Sequence, residues 1–261
     1  MTAVEERITN ETVIPEVASA LFSGNEDKQF AIGIVAVGND IAPGLENEFK
    51  GYTLLRGNVY AKQKHFMPLA ELNDDGTETD SDDARSVHFA VIENAMTSAR
   101  VVGAMRLIVK SHEDDSPLPI EEHYPEAFID RPAPILSTEA SRLISRYENS
   151  RMQRNLKWLL FTAGVSYIKS HDLGPVYGAV ETSLARGLRV EGMPVTSLSE
   201  PKFVEEFNAT KMAISIDMAG LTQKIEDDRP ELFSAMQSRR NDFVYVGTVP
   251  EIETGQKAAV A

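Results

Sequence analysis

The chain contains no cysteine among its 261 residues. That excludes a disulfide framework, a thiolate nucleophile and any Cys-ligated zinc or iron–sulfur centre. Catalysis must therefore run on oxygen and nitrogen groups. Basic residues are also scarce: 26 Lys and Arg stand against 40 Asp and Glu, a formal net charge of −14. Binding a polyphosphate needs a basic footprint that releases counterions, so neither nucleic acid nor an anionic membrane is expected as the main partner. The most apolar stretches, such as residues 30–38, fall well short of the roughly 18 residues that a spanning helix requires. The opening MTAVEERITNETVIPEVASALF lacks the basic and apolar halves of a secretory signal, and a cytoplasmic chain is expected. Phosphate-loop, dinucleotide-fingerprint and nucleophile-elbow motifs are all missing. The five histidines (His65, His88, His112, His123, His171) show no pair at metal spacing, so no metal site is expected.

What is present is the composition of a folded protein, 42% hydrophobic and 25% charged. Residues 1–28 are polar and carry no chemistry. The run FAIGIVAVG from Phe30 suits either a buried strand or a short core helix. Phe49, Tyr52, Leu55, Val59 and Tyr60 recur at helical spacing and predict a helix over 46–64. Residues 71–83 hold seven acids and no base, a solvated loop unless something cationic organises it. VHFAVIE and RVVGAMRLIVK read as a hairpin. The five prolines of residues 111–134 predict a long loop with one helical turn. ILSTEASRLISR reads as a strand. Ser150 and Gln153 form a capping-box pattern opening a buried helix that stops at Gly174-Pro175. Strand PVYGAVE, a helix over SLARGLRVE, strands MPVTSLS and KMAISID, and C-terminal helices complete an α/β (α+β) pattern. The expected division is an N-terminal extension (1–45, partly ordered), a central domain (46–220), and C-terminal helices and tail (221–261).

Several charges interrupt apolar strands. Arg106 sits within VVGAMRLIV, and Glu139 and Arg142 within ILSTEASRLIS. Strand alternation places Arg106 with Ala104 and Ile108, and sets Glu139, Ser141 and Leu143 on the face opposite Arg142. A lone buried charge is costly, so these residues must either pin the sheet as an ion pair or line a cavity. The residues alone leave both open.

Four motifs in order, R-x-x-V-Y at Arg56 to Tyr60, E-x-D-x-x-D at Glu78 to Asp83, G-x-x-R-L at Gly103 to Leu107 and E-x-S-R-L at Glu139 to Leu143, resemble the acyl-homoserine-lactone (autoinducer) synthases and related N-acyl amino acid synthases. The resemblance spans roughly residues 48–215. It implies a GNAT-type acyltransferase fold, with a mixed, mostly antiparallel central sheet, flanking helices and a splayed central strand. The implied activity moves a fatty acyl group from an acyl carrier protein or coenzyme A thioester to the amine of an amino-acid-derived acceptor, with no tightly bound cofactor.

The resemblance also implies roles. Glu139 would be the base, directly or through water, with Arg142 and Ser141 beside it, while Asp80 and Asp83 would hold cationic groups of the acceptor. Arg56 and Arg106 would organise the acids. Tyr60, Phe66, Leu143, Ile144 and Trp158 would line the substrate sites, and a backbone N–H within residues 143–145 would bind the oxyanion. Arg146, Arg151, Arg154 and Lys157 make a local basic patch at a helix start, suited to a carrier protein or the pantetheine phosphate. The segment RYENSRMQRN lacks the glycines of a coenzyme A loop, which favours the carrier protein. The E-x-D-x-x-D match points toward the signal synthases, whereas the long loop over 111–134 points toward the broader N-acyl amino acid group and a missing Trp after the first motif points away from the lactone product. The alternatives are a homoserine-lactone synthase proper, using S-adenosylmethionine, and a non-catalytic module that binds an acylated ligand.

Overall fold

The computed structural model describes residues 29–95, 98–112, 116–130, 132–148, 150–230, 232–234 and 245–247. The polar segment 1–28 lies outside the described residues. The strands are β1 (Gln29–Val37), β2 (Asp40–Ile41), β3 (Ser86–Ala95), β4 (Ser98–Val109), β5 (Thr138–Ser145), β6 (Val176–Glu181), β7 (Val195–Ser197), β8 (Lys202–Val204), β9 (Ala209–Ile216) and β10 (Tyr245–Gly247). They form one sheet in the order β10-β1-β3-β4-β5-β6-β9-β7, with β2 on β1 and β8 on β9. Every pairing is antiparallel except that of β5 with β6. FAIGIVAVG is thus a strand. It falls within the segment assigned to the N-terminal extension, yet it is sandwiched between β10 and β3 as part of the central sheet. Its continuous β-branched run is what a strand buried on both faces needs.

The helices are α1 (Glu46–Gly57), α2 (Pro119–His123), α3 (Pro125–Phe128), α4 (Ser150–Ser170), α5 (Thr182–Val190) and α6 (Met218–Asp228). α1 runs on as a π-helical turn, Asn58–Gln63, so the two together cover the helix expected over 46–64. Ser150 is the first helical residue of α4, and the Gln153 amide reaches back to the Tyr147 carbonyl at 2.6 Å. That bond replaces the reciprocal cap expected between Ser150 and Gln153. α2 and α3 give the proline-rich segment two helical turns where one was expected. The segment is tied down by Glu121, which accepts from Lys110 Nζ at 3.0 Å, Leu118 N at 2.8 Å and Ala133 N at 2.9 Å.

The two faces of the sheet carry different cores. On one, α4 sets Leu156, Leu159, Leu160 and Ala163 against Phe89, Val91, Met105 and Leu107. Each fully buried side chain of this size is worth about 2 kcal/mol. Gly164 allows the close approach, since a Cβ there would lie 2.8 Å from Met105 Cε. On the other face, α1 packs Tyr52 and Leu55 over Ala90, Ile92 and Ala104. Farther along that face α2 and α3 cover Ile108 and Ala213. Arg106 therefore does share a face with Ala104 and Ile108.

Two departures from regular geometry shape the centre. β5 and β6 pair only at Thr138 with Val176 and Glu139 with Tyr177, and beyond that point they part. β5 also carries a bulge against β4, where the register slips between Ala104 and Arg106. The bulge falls at Arg142, a non-glycine residue at φ +53°. An extra residue in the left-handed region re-aims a strand's side chains.

Candidate active site

The bulge overturns the expected alternation in β5. Ser141 pairs with Arg106, and Ile144 packs under α1 on the same side of the sheet. Leu143 packs with the α4 core on the opposite side. Arg142, which strict alternation would set against Ser141, instead points with it toward the acidic loop.

There it completes a cluster of three arginines and three carboxylates. The Arg56 guanidinium, fully buried, pairs with Glu78 and grips Asp83 with two bonds of 2.8 and 3.2 Å. Arg106 donates to Asp80, to Asp83 at 2.7 Å and to Ser141 Oγ at 3.0 Å. Arg142 bridges Glu78 and Asp80, at 2.8 Å to each, and lies over the Tyr60 ring. The acidic segment is therefore organised by cations. Asp80 caps the 3-10 turn Ser81–Arg85 through Asp82 N, while Asp83 accepts from Asp80 N. Gly57 makes room for the loop, since a Cβ there would sit 2.5 Å from the Gly76 carbonyl oxygen.

This charge balance sets protonation. Burial would raise the Glu78 carboxyl, but Arg142 and Arg56 outweigh it and hold the group down at about 2. Asp83 is likewise held well below the usual carboxylate range, with Arg56 and Arg106 overcoming its burial. His88 is buried between Tyr52 and the Asp83 carbonyl. Desolvation lowers it to about 4, so it is neutral packing rather than a proton carrier. Among the three carboxylates, Glu78 is inaccessible and the Asp83 side chain is 8% exposed, whereas that of Asp80 is 28% exposed.

Glu139 stands apart from the cluster. It lies on β5 opposite Ile108, is buried, and accepts one hydrogen bond, from Ile120 N at 2.8 Å. Desolvation pushes its carboxyl up to about 7, against the lowering effects of the Ile120 N–H and Arg106. A base poised near neutrality suits proton abstraction. Nearby, the Tyr124 hydroxyl is buried without a hydrogen-bond partner among the described residues. Its burial and the charges of Glu126 and Glu139 push the phenol up to about 12.

Where β5 and β6 part, an apolar cavity of about 130 Å³ opens, lined in part by Met105, Leu143, Phe161, Leu184 and Ile214. Tyr60, Phe66, Ser141 and Arg142 also line it. The Arg146 N–H bonds back to Val102 on β4. By alternation along the strand, the N–H groups of Leu143 and Ser145 then point to the side that β6 vacates.

The site residues expected from the sequence thus fall into groups. Tyr60, Phe66, Ser141, Arg142 and Leu143 meet at the cavity. Arg56, Arg106, Asp80 and Asp83 form the network beside it. Trp158 and Ile144 lie elsewhere: Trp158 packs edge-on against Phe161 and under Arg229, and Phe161, one turn later, takes the place at the cavity. Ile144 is carried into the α1 core by the bulge. Of the basic patch, Arg146 and Arg154 are exposed and Arg151 is half-buried, while Lys157 is paired with Glu191 at 2.7 Å. Lys211, Lys64 and Glu181 also line the cavity and were not singled out in the sequence. KMAISID reads as an apolar strand, and its first residue carries no signal of its own.

No family model and no curated protein sequence matches the chain. Solved structures do. The coenzyme A-dependent acyl-homoserine lactone synthase BjaI, solved with S-adenosylmethionine and isopentyl-coenzyme A, superposes with a TM-score of 0.57 at 24% identity, over 77% of this chain and 89% of that one. The synthase LasI gives 0.55 at 15% identity, over 74% and 91%. FeeM, an N-acyl amino acid synthase from uncultured soil microbes, gives 0.53 at 13% identity, over 77% and 96%. The chain has the fold these acyl-homoserine lactone and N-acyl amino acid synthases share, a GNAT-type acyltransferase fold. Among the described residues no helix is long and apolar enough to cross a membrane.

Proposed function

We propose that the protein is an N-acyltransferase that moves a fatty acyl group from an acyl carrier protein or coenzyme A thioester to the amine of an amino-acid-derived acceptor. The observation that carries this reading is the parting of β5 from β6 beside Glu139, with an apolar cavity at the opening. The acyl chain fits the slot among Met105, Phe161 and Leu143. Glu139 takes a proton from the acceptor ammonium, directly or through water. The freed amine attacks the thioester carbon, forming the N–C bond and moving the carbonyl electron pair onto oxygen. N–H groups of Leu143 and Ser145 stabilise that oxyanion. Collapse breaks the C–S bond; the new N–C nitrogen gives up its second proton to the leaving thiolate, which departs as free thiol, and Glu139 returns the first proton to solvent.

Asp80, the most accessible carboxylate of the cluster, contacts the cationic part of the acceptor, while Asp83 and Arg56 position it from behind. The exposed Arg146 just before α4 and Arg154 near its start suit an acidic carrier protein, which favours that donor over coenzyme A. The product is an N-acyl amino acid or an autoinducer-type signal. The test is mass spectrometry of lipid extracts from a bacterial host expressing wild type or Glu139→Gln. It should be joined by turnover of acyl-carrier-protein and acyl-coenzyme A thioesters by purified protein. A new N-acylated species found only with wild type is expected. Failure of every thioester and acceptor in both formats overturns the reading in favour of an acyl-binding module.

A further inference from the structure

Lys211 is a buried lysine that makes no ion pair among the described residues. It lies on β9 opposite Glu181, is 7% exposed and borders the cavity. Its ammonium is held between two rings, 3.4 Å from the centroid of Phe207 and 5.0 Å from that of Phe66. Among the described residues no carboxylate comes within ion-pairing distance of it. Such a cation is costly to bury unless something anionic completes its shell. Desolvation and the nearby Arg142 lower it to about 8, which still leaves it charged at neutral pH. Lys211 and Ala213 alternate onto one face of β9, the face covered by α2 and α3 where Glu139 receives the Ile120 N–H. The carboxylates of Glu139, Glu181 and Glu206 attract the ammonium without pairing with it.

Resting on the acyl-transfer reading, we infer that Lys211 anchors the free carboxylate of the α-ammonium carboxylate acceptor and is the residue by which the site tells that acceptor from an amine or amide lacking the charge. In such a molecule one carbon separates the two groups. A carboxylate seated on Lys211 then presents its ammonium toward Glu139. Phe66 and Phe207 exclude water from the contact, which strengthens it. An amine lacking the carboxylate would leave the lysine desolvated and unpaired, so the site discriminates against it.

The test is calorimetric titration of the full chain with paired probes: S-adenosylmethionine and its carboxamide, and the proteinogenic L-α-amino acids and theirs. At least one acid should bind about tenfold more tightly than its carboxamide, as expected for a charge-assisted bond. Lys211→Met, whose apolar chain can fill the space between the rings, should erase that ratio and leave carboxamide affinity unchanged, and Lys211→Arg should restore part of it. Which pair shows the effect tells a free amino acid from S-adenosylmethionine. Equal binding of acid and carboxamide throughout, or a preference that survives Lys211→Met, overturns the inference. Acyl transfer is scored separately. Acids that bind through Lys211 but yield no N-acyl product sink the transfer reading alone. Equal turnover of acids and carboxamides sinks the anchor alone.

Discussion

Arg142 and Glu78 are 64 residues apart in the chain and joined at 2.8 Å, and the contact exists because Arg142 sits in the left-handed backbone region at φ +53°. A regular β5 would aim this guanidinium at the α4 core. The bulge turns it across the strand to close a network in which each carboxylate answers an arginine. The same bulge sends Leu143 to the cavity and Ile144 to the α1 core. One strained residue thus sorts its neighbours between site and scaffold, as strain at functional positions commonly does.

Two substitutions separate the backbone from the charge. Arg142→Ala removes a partner of the buried Glu78 and keeps a Cβ in the left-handed region. It should lower unfolding free energy by about 3 kcal/mol. Arg142→Gly loses the same ion pair but relieves the backbone, and should be about 1 kcal/mol more stable than the alanine variant. Urea denaturation at neutral pH reads both. An alanine variant equal to or better than glycine would show that the bulge stores no strain.

The cluster and Glu139 respond to pH in opposite directions. Folding holds Glu78 at about 2, below its ordinary 4.5. Its stabilisation is complete above pH 4.5 and is lost as pH falls toward 2, and Asp83 adds to the same acid limb. Folding raises Glu139 from 4.5 to about 7. The native state then binds the extra proton, and stability declines as pH climbs from 4.5 through 7. Glu139→Gln should match wild type near pH 4.5, exceed it by on the order of 3 kcal/mol at pH 8, and transfer no acyl group. A variant no more stable than wild type at pH 8 would mean the carboxyl is not raised.

Gly57 tests whether the acidic loop depends on close passage over α1. Its added Cβ would meet backbone, the Gly76 carbonyl oxygen at 2.5 Å, which cannot swing aside as a side chain can. The loop also bonds from Glu78 N to Thr53 O at 3.1 Å. Gly57→Ala should cost about 2 kcal/mol despite alanine's better helix propensity, and should weaken acceptor binding by displacing Glu78 and Asp80. A melting temperature at or above that of wild type would refute the tight passage.

Much of this site was legible because charges inside apolar strands are conspicuous. Arg106 and Glu139 stand out in VVGAMRLIV and ILSTEASRLIS, and the motif order around them carried the fold. The seven acids of residues 71–83 pointed to a cationic organiser without naming it, since Arg56, Arg106 and Arg142 meet only in three dimensions. The bulge was not legible: alternation is a rule of regular strands, and nothing in S-R-L marks the slip that turns Arg142 onto the face of Ser141. Trp158 does not reach the cavity, and the sequence gives no sign of it, because residues 158–168 of α4 are buried on every side and offer no polar face from which to judge which residue fronts the cavity. Lys211 carries no signal in the sequence because a lysine at a strand end is ordinarily solvated, and the rings that enclose it, Phe66 and Phe207, come from other segments of the fold.

The length of the acyl slot should be adjustable from outside it. Met105 lines the cavity, and its terminal methyl lies where a Cβ on Gly164 would come to 2.8 Å. The obstructing atom is the end of a flexible side chain, so Gly164→Ala should be accommodated by rotation of Met105 at a cost of about 1 kcal/mol. The displaced thioether moves toward the slot between β5 and α4 and shortens it. Each methylene excluded removes about 0.8 kcal/mol of binding, so the variant should favour donors one or two carbons shorter, with kcat/KM for the longest accepted chain falling about tenfold and the shortest unaffected. Phe161→Leu, which withdraws ring volume from the same slot, should shift the preference the other way. Chain-length profiles measured with a series of acyl thioesters read both variants, and profiles that superpose on that of wild type would place the acyl chain somewhere other than this cavity.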